Sequence, residues 1–362
     1  MKKNILYFTR TMGLGGTEKV VLQMCEALRD NFDNIIVCSC GGENVEKLVE
    51  LGIKHYKIGD IENKNPIFML KTIKQLKEII DNEKINIVHT QHRMAAFYSR
   101  VLKRKYKFTF IHTAHNTFFD KKIITKYSLG KSNLIAVGNK VKSNLINEFS
   151  IPEKNITTLY NGVRQEKCKM NKINELESAR KEGYFLVGNI GRISKQKGME
   201  YFILAAKDLI DKKKNIKFFI VGDGEDKEKI EKLIHRLGLV NDVILLGYRD
   251  DISNVIGQLD LIVLSSLWEG LPLTPMEAFS VGKTVIGTSV DGTTEIIKDK
   301  FNGILIEPKN WRDISKYIDY LYNNPECREI LEKNAYKTYK DKFSYDKFVV
   351  NYKNYYNKLL GE

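Results

Sequence analysis

Several familiar features are missing from this 362-residue sequence, and each absence closes a route. No apolar run approaches the roughly 18 residues that a membrane-crossing helix needs. The strand-like Asn4–Phe8 follows Met1-Lys-Lys directly, so neither a leader peptide nor a spanning helix is expected. The five cysteines (Cys25, Cys38, Cys40, Cys168 and Cys327) form no Cys-x-x-Cys pair, which speaks against zinc and for reduced thiols in a cytosol. With 6 prolines and 43% hydrophobic residues, long disordered stretches are not expected. There is no His-Glu-x-x-His helix and no Asp-x-Asp triplet. His89/His92 and His112/His115 each have the x-x spacing of a ligand pair, but no cysteine or acid completes a metal set.

Acidic charge is scarce in one half only. Residues 1–165 carry 27 Lys+Arg against 15 Asp+Glu, whereas residues 185–340 carry 23 of each. The net of +12 in the first half is most of the chain's +14. Lys103, Arg104, Lys105, Lys107, Lys121, Lys122, Lys126 and Lys131 face one acid in that stretch, Asp120. A Lys-rich bias of the source would not confine the excess to one half. An anionic membrane surface or an acidic acceptor would. No basic-aromatic module of a nucleic-acid binder accompanies the charge, so no nucleic-acid partner is expected.

The length is too great for one ordinary core and fits two α/β domains. Apolar runs at Asn4–Phe8, Asn34–Cys38, Ile53–Ile58, Ile85–Val88, Phe108–Ile111, Leu134–Val137 and Ile156–Leu159 alternate with helical patterns. Those helices are expected at Thr17–Arg29, Pro66–Ile80, Met94–Leu102, Lys121–Leu129 and Val141–Phe149. This alternation predicts a parallel sheet covered on both faces. Ligands of such sheets bind at the carboxyl ends of strands, where the four histidines are expected to lie. Tyr160-Asn-Gly-Val163 ends the first series. A polar stretch reads as a linker, and Tyr184–Ile190 opens a second series with Phe218–Gly222, Val243–Leu246, Leu261–Leu264 and Thr284–Ile286. Helices over 309–322, 326–340 and 348–360 follow.

Three loops stand out. Gly13-Leu-Gly15-Gly16 precedes the first helix, but Glu18 stands where a dinucleotide fingerprint needs its third glycine, and the next strand lacks the ribose-binding acid. A nicotinamide enzyme is therefore disfavoured. An ordinary strand-to-helix turn and a phosphate-approaching loop both remain open. Gly191-Arg192-Ile-Ser-Lys195-Gln-Lys197-Gly198 puts cations in a glycine-bounded loop, suited to a diphosphate or simply solvated. In Glu269-Gly-Leu-Pro-Leu-Thr-Pro-Met-Glu277, two carboxylates stand eight residues apart across a helix start. Such a start is an anion site. Thr274-x-x-Glu277 is also a capping box, and Glu269 on its own reads as a solvated loop charge.

Glu269-x7-Glu277 followed by Ala278-Phe-Ser-Val-Gly282 resembles the signature of the retaining glycosyltransferases of family 4, which have the GT-B fold. Lys283-Thr284 stands where the family commonly has a proline. The resemblance spans nearly the whole chain, strongest over 188–306. It implies two Rossmann-like, doubly wound α/β domains facing each other across a cleft. Residues 1–164 would bind the acceptor, 165–183 link, 184–342 bind the nucleotide sugar, and 343–362 return to the first domain. It further implies that Glu269 contacts hydroxyls of the donor sugar and Glu277 the ribose. The backbone of Gly270, Leu271, Pro272, Leu273 and Thr274 would meet the diphosphate, which Arg192 and Lys197 hold. Gly15 and Gly16 would approach that diphosphate, Gly222 lies in a neighbouring turn, and Gly247-Tyr-Arg249-Asp250 would read the nucleobase. Gly292-Thr-Thr-Glu295 matches a further family element, in which Glu295 also reads as a cap. His115 of Thr113-Ala-His115-Asn116 would hydrogen-bond the sugar, with His112 as the alternative.

The implied activity is retaining transfer from a nucleotide sugar, UDP-linked before GDP-linked, to a lipid-linked or glycan acceptor of a bacterial envelope polysaccharide. No tightly bound cofactor and no metal is implied, and the setting is the inner face of the plasma membrane. A sugar-nucleotide epimerase of the same fold and a non-catalytic partner of a transferase complex are the alternatives.

Overall fold

The computed structural model describes residues 3–165 and 171–361. The chain divides into two compact units, one of residues 1–161 with 348–362 and one of residues 162–347. Cys168 and part of the 165–183 stretch lie outside the described residues.

The first unit runs β1 (Asn4–Phe8), α1 (Gly16–Ala27), β2 (Asn34–Ser39), α2 (Val45–Glu50), β3 (Lys54–Lys57), α3 (Pro66–Asn82), β4 (Ile87–Thr90), α4 (Arg93–Leu102), β5 (Thr109–Ala114), α5 (Lys122–Leu129), β6 (Asn133–Ala136), α6 (Asn139–Phe149) and β7 (Ile156–Thr158). Its seven strands are all parallel in the order β3-β2-β1-β4-β5-β6-β7. The central strands β1 and β2 are near-continuous apolar runs, as strands covered on both faces are, whereas the edge strand β3 is Lys-His-Tyr-Lys. Leu6, Ile111 and Ile135 of the strands, Met24 of α1 and Leu145 of α6 are all fully buried. Helix starts follow local chemistry. Asn65 accepts from the Ile67 N–H at 2.9 Å and Pro66 takes the first position of α3, where no N–H is needed.

The second unit runs α7 (Asn174–Lys181), β8 (Phe185–Ile190), α8 (Met199–Asp211), β9 (Ile216–Val221), α9 (Lys227–Arg236), β10 (Val243–Gly247), α10 (Ile252–Gln258), β11 (Leu261–Leu264), α11 (Leu273–Ser280), β12 (Val285–Thr288), α12 (Thr293–Ile296), β13 (Ile304–Ile306), α13 (Trp311–Asn323) and α14 (Pro325–Thr338). Six parallel strands lie in the order β10-β9-β8-β11-β12-β13. Val187, Phe218 and Val263 from the strands meet Phe202 of α8 and Ile318 of α13 in one core.

The last helix, α15 (Tyr345–Leu360), belongs to the first unit from Phe348 onward. Its tyrosines explain that assignment: Tyr352 and Tyr356 are fully buried, and Tyr356 Oη lies 2.6 Å from His89 Nδ1 and 3.4 Å from Tyr7 Oη. Within the stretch read as a linker, α7 buries Leu176 and Ala179. Two apolar positions in eight polar-flanked residues are too weak a period to announce a helix.

Candidate functional site

In each sheet the strand order reverses at one place, and that is where a doubly wound sheet opens a crevice at its carboxyl edge. In the second unit the reversal lies between β8 and β11. The loop after β8 carries Arg192 and Lys197, and the loop after β11 carries Glu269. Residues 72 apart and more are thus brought to one point by the winding alone.

Lys197 Nζ lies 2.6 Å from Glu269 Oε1, with the two side chains 16% and 6% exposed. Ser266 Oγ donates to the same oxygen at 2.6 Å, while Gln196 Nε2 reaches Oε2 at 3.4 Å and donates to the Trp268 carbonyl at 3.0 Å. The Oε2 face of the carboxylate is therefore the less occupied one. Beneath, Asn189 Nδ2 donates to Ser265 Oγ at 2.9 Å, and Ser265 Oγ donates to the Lys197 carbonyl at 2.9 Å. Glu269 is a buried, paired group, which corrects its reading as a solvated loop charge. Loop carboxylates look solvated in a sequence because their partners are distant in it. Arg192 is exposed and, among the described residues, its side chain has no ion-pair or hydrogen-bond partner.

α11 starts at Leu273, one residue before Thr274, with Pro272 at the cap position and no side-chain cap. The Thr274 hydroxyl turns to the Ile190 carbonyl at 3.5 Å, so it does not cap the helix. The cap residue offers the first N–H groups of α11 no side-chain acceptor, and the positive end of the helix adds to the cations of the β8 loop. Glu277, one turn in, is buried. Gly270, Leu271 and Pro272 are buried and Leu273 is half-buried.

Glycines let these loops nest. A Cβ on Gly292 would lie 1.8 Å from the Gly270 carbonyl oxygen, and one on Gly222 (φ +144°) 2.0 Å from that of Gly191. Both clash with backbone, so Gly222 holds the β8 and β9 loops together whatever else it touches. Arg249 stands apart. β10 is the sheet edge, and the guanidinium forks onto Asp251 at 2.7 and 2.8 Å.

In the first unit the reversal lies between β1 and β4. Gly15 precedes α1 and Gly16 opens it; the Glu18 carboxylate folds back over Gly15 and accepts from Thr11 Oγ1. Two of the four histidines expected at strand ends lie inside strands instead. His89 is buried within β4, its Nε2 2.7 Å from Thr113 Oγ1, and His112 is buried within β5, its Nδ1 2.8 Å from Thr90 Oγ1. Polar strand residues that pair with each other in a core carry no period that would betray them. His92 accepts from the Met94 N–H at 3.2 Å as the cap of α4. His115 is the first residue past β5, and its Nε2–H donates to Gln91 Oε1 at 2.8 Å. Burial pushes His115 down to about 4 and, with the nearby His115, His92 and Arg93, His112 down to about 3. All are neutral imidazoles near pH 7. Among the described residues no three of His, Cys, Asp and Glu gather as metal ligands, and no helix is long and apolar enough to cross a membrane.

Ser266, Gln196, Ser265 and Asn189 escaped the sequence reading. Small polar residues in loops give no signal until Glu269 is known to be buried.

Residues 14–167 match the family described as Glycosyltransferase Family 4, and residues 171–338 that of Glycosyl transferases group 1. The chain is 29% identical over 345 residues to the UDP-Gal:alpha-D-GlcNAc-diphosphoundecaprenol alpha-1,3-galactosyltransferase of Escherichia coli, covering 89% of this chain and 88% of that one. Its fold is similar to that of a glycosyltransferase from Rickettsia africae, with TM-score 0.85 and 24% identity over 99% of both chains. It is similar also to Anabaena HepE solved with UDP-glucose, with TM-score 0.83 and 18% identity over 98% of this chain and 100% of that one.

Proposed function

The chain belongs to the group 1, family 4 glycosyltransferases, and from that premise we propose that it transfers a sugar, with retention, from a nucleotide-diphosphate donor to a lipid-linked or glycan acceptor in envelope polysaccharide synthesis. The observation that carries this reading is the composite edge of the second unit. An exposed Arg192, the Lys197–Glu269 pair and the start of α11, where Pro272 supplies no side-chain cap, converge where the winding reverses.

In this reading the diphosphate lies against the first N–H groups of α11, with Arg192 as a forked donor and Lys197 as a point charge. Lys197 keeps one N–H on Glu269 Oε1 and has two further donors for phosphate oxygens. Glu269 Oε2 accepts from hydroxyls of the sugar, and Glu277 from those of the ribose. Gly15, Gly16 and Gly222 approach the phosphates by their backbone, and the Gly247–Asp250 segment, with Arg249 held by Asp251, reads the base. His115 contacts the sugar. Its Nε2–H is committed to Gln91, which leaves Nδ1 as an acceptor for a hydroxyl.

The bond from the anomeric carbon to the phosphate oxygen breaks, and the acceptor oxygen bonds to that carbon on the same face. The acceptor's proton passes to the departing diphosphate oxygen. Catalysis is then positioning plus stabilisation of the charge that grows on the diphosphate. No metal is called on. The galactosyltransferase relative is named for a UDP-sugar and a diphosphoundecaprenol-borne acceptor, and HepE was solved with UDP-glucose. These favour a UDP-sugar over a GDP-sugar and a lipid-borne acceptor on an anionic membrane surface.

Screening nucleotide sugars by thermal shift and then by hydrolysis tests the reading. One sugar nucleotide should stabilise the protein and be turned over. An epimer formed from donor alone would replace transferase by epimerase, and absence of any donor binding would leave only a non-catalytic partner.

A further inference from the structure

In the first unit, Phe119, Ile123 and Ile124 are 66%, 86% and 53% exposed, three large apolar side chains within six residues. Isolated exposed apolar residues are ordinary, but a cluster is not. α5 turns Thr125, Ser128 and Leu129 inward and leaves Lys122, Ile123, Ile124 and Lys126 outside. Lys121 precedes it, exposed as well. The guanidinium of Arg104 lies over the Tyr127 ring, 5.8 Å from its centroid, adding a further cation to the same surface. Asp120 lies 2.7 Å from Arg93 and 3.7 Å from Lys121, and Glu148 lies 2.6 Å from Lys122, so two acids stand against Arg93, Arg104, Lys121, Lys122 and Lys126 and the surface stays net positive.

α3 repeats the pattern. Ile67 and Leu70 are 78% and 67% exposed beside exposed Lys64 and Lys71. α3 and α5 both pack on α4. Each follows a strand of the parallel sheet, so both begin at its carboxyl edge, where His115 lies.

We propose that Phe119, Ile123 and Ile124, ringed by Lys121, Lys122 and Lys126, insert into the headgroup layer of an anionic bilayer, with Ile67 and Leu70 entering beside them. The occupant follows from charge. Apolar prongs set among lysines fit acidic lipid headgroups over acyl chains. A second copy would oppose one lysine ring to another, and protein interfaces are depleted of lysine at their core. The inference rests on the lipid-borne acceptor proposed above and gives it a geometry. A sugar carried on a lipid diphosphate rides at headgroup level, and these prongs would hold the His115 edge of the sheet at that level.

The test is flotation of the full chain with phosphatidylcholine vesicles, with and without phosphatidylglycerol, at low and high salt. The pair Ile123→Asp and Ile124→Asp should cut binding to the acidic vesicles by about tenfold or more, the scale of burying two isoleucines. Lys126→Gln should weaken it about fivefold at low salt and little at high salt. Val240→Asp with Ile330→Asp, exposed apolar residues of the second unit, should change nothing. Tryptophan emission of Ile123→Trp should shift to the blue on acidic vesicles. Unchanged binding by the isoleucine pair would overturn the proposal, as would a prong-dependent dimer seen by light scattering. UDP binding, measured without vesicles, should be the same in the wild type and the pair. Loss of UDP binding in the wild type with vesicle binding intact would sink the donor reading and leave the docking surface standing.

Discussion

The two carboxyl edges are built on opposite principles. In the second unit, loops packed glycine against backbone enclose one ion pair, and over 185–340 the charges balance at 23 each. In the first unit the edge holds neutral imidazoles, an amide, a folded-back Glu18 and an Arg10–Asp60 pair that is 44% exposed on both sides, within a half that carries +12. A preorganised cage suits a ligand whose charge must be met in fixed geometry. A more open edge on a basic, partly apolar body suits a hydroxyl-bearing ligand delivered from a surface.

The sharpest way to break this contrast is at the cage. Arg192→Ala should lower kcat/KM by about 100-fold to 1,000-fold, the scale of losing one stabilising donor, while Tm stays near that of the wild type because the side chain is exposed and unpaired. Lys197→Ala should cost a similar rate and also about 3–5 kcal/mol of stability, since it strands a buried Glu269. Steady-state kinetics beside urea unfolding separates the two. Equal turnover by both variants would remove their role. A sequence reading would treat the two cations alike; the ion pair is what divides them.

Next in size is packing. Gly292→Ala should destabilise by about 1–3 kcal/mol or more, because the new methyl meets the Gly270 carbonyl. Gly15→Ala should cost under about 1 kcal/mol, because the atoms nearest its methyl belong to the movable Glu18 carboxylate. Chemical denaturation of both tests whether the rigid edge and the adaptable edge are correctly assigned.

A smaller effect should follow pH. His115 and His112 bind a proton more weakly folded than unfolded, at about 4 and about 3 against an ordinary 6.5. The unfolded chain therefore takes up protons first as pH falls below 6.5, and stability declines from there toward pH 4. His112→Gln should flatten part of that slope in urea titrations at several pH values. A slope of the opposite sign would mean that these imidazoles are charged in the folded protein.

Much of this was legible in the sequence. The strands Asn4–Phe8 and Leu261–Leu264 stand where their apolar runs place them, because doubly covered parallel strands are uninterrupted. Arg192, Lys197 and Glu269 stand out by motif, but not that two of them pair, since 72 residues separate Lys197 from Glu269. α7 stayed hidden behind its charge, and the interior histidines behind the usual meaning of a polar residue near a strand end. Thr274 itself is not the cap: Pro272 takes that position two residues earlier, and the hydroxyl is drawn to Ile190.

The proposed function has the second unit grip a nucleotide diphosphate at the start of α11. Calorimetric titration of UDP into the wild type, Arg192→Ala and Arg93→Ala tests it most directly. Binding to the wild type, weakened about tenfold or more by Arg192→Ala and unaltered by Arg93→Ala in the first unit, is the predicted result. No heat of binding, or equal affinity in all three proteins, would contradict it.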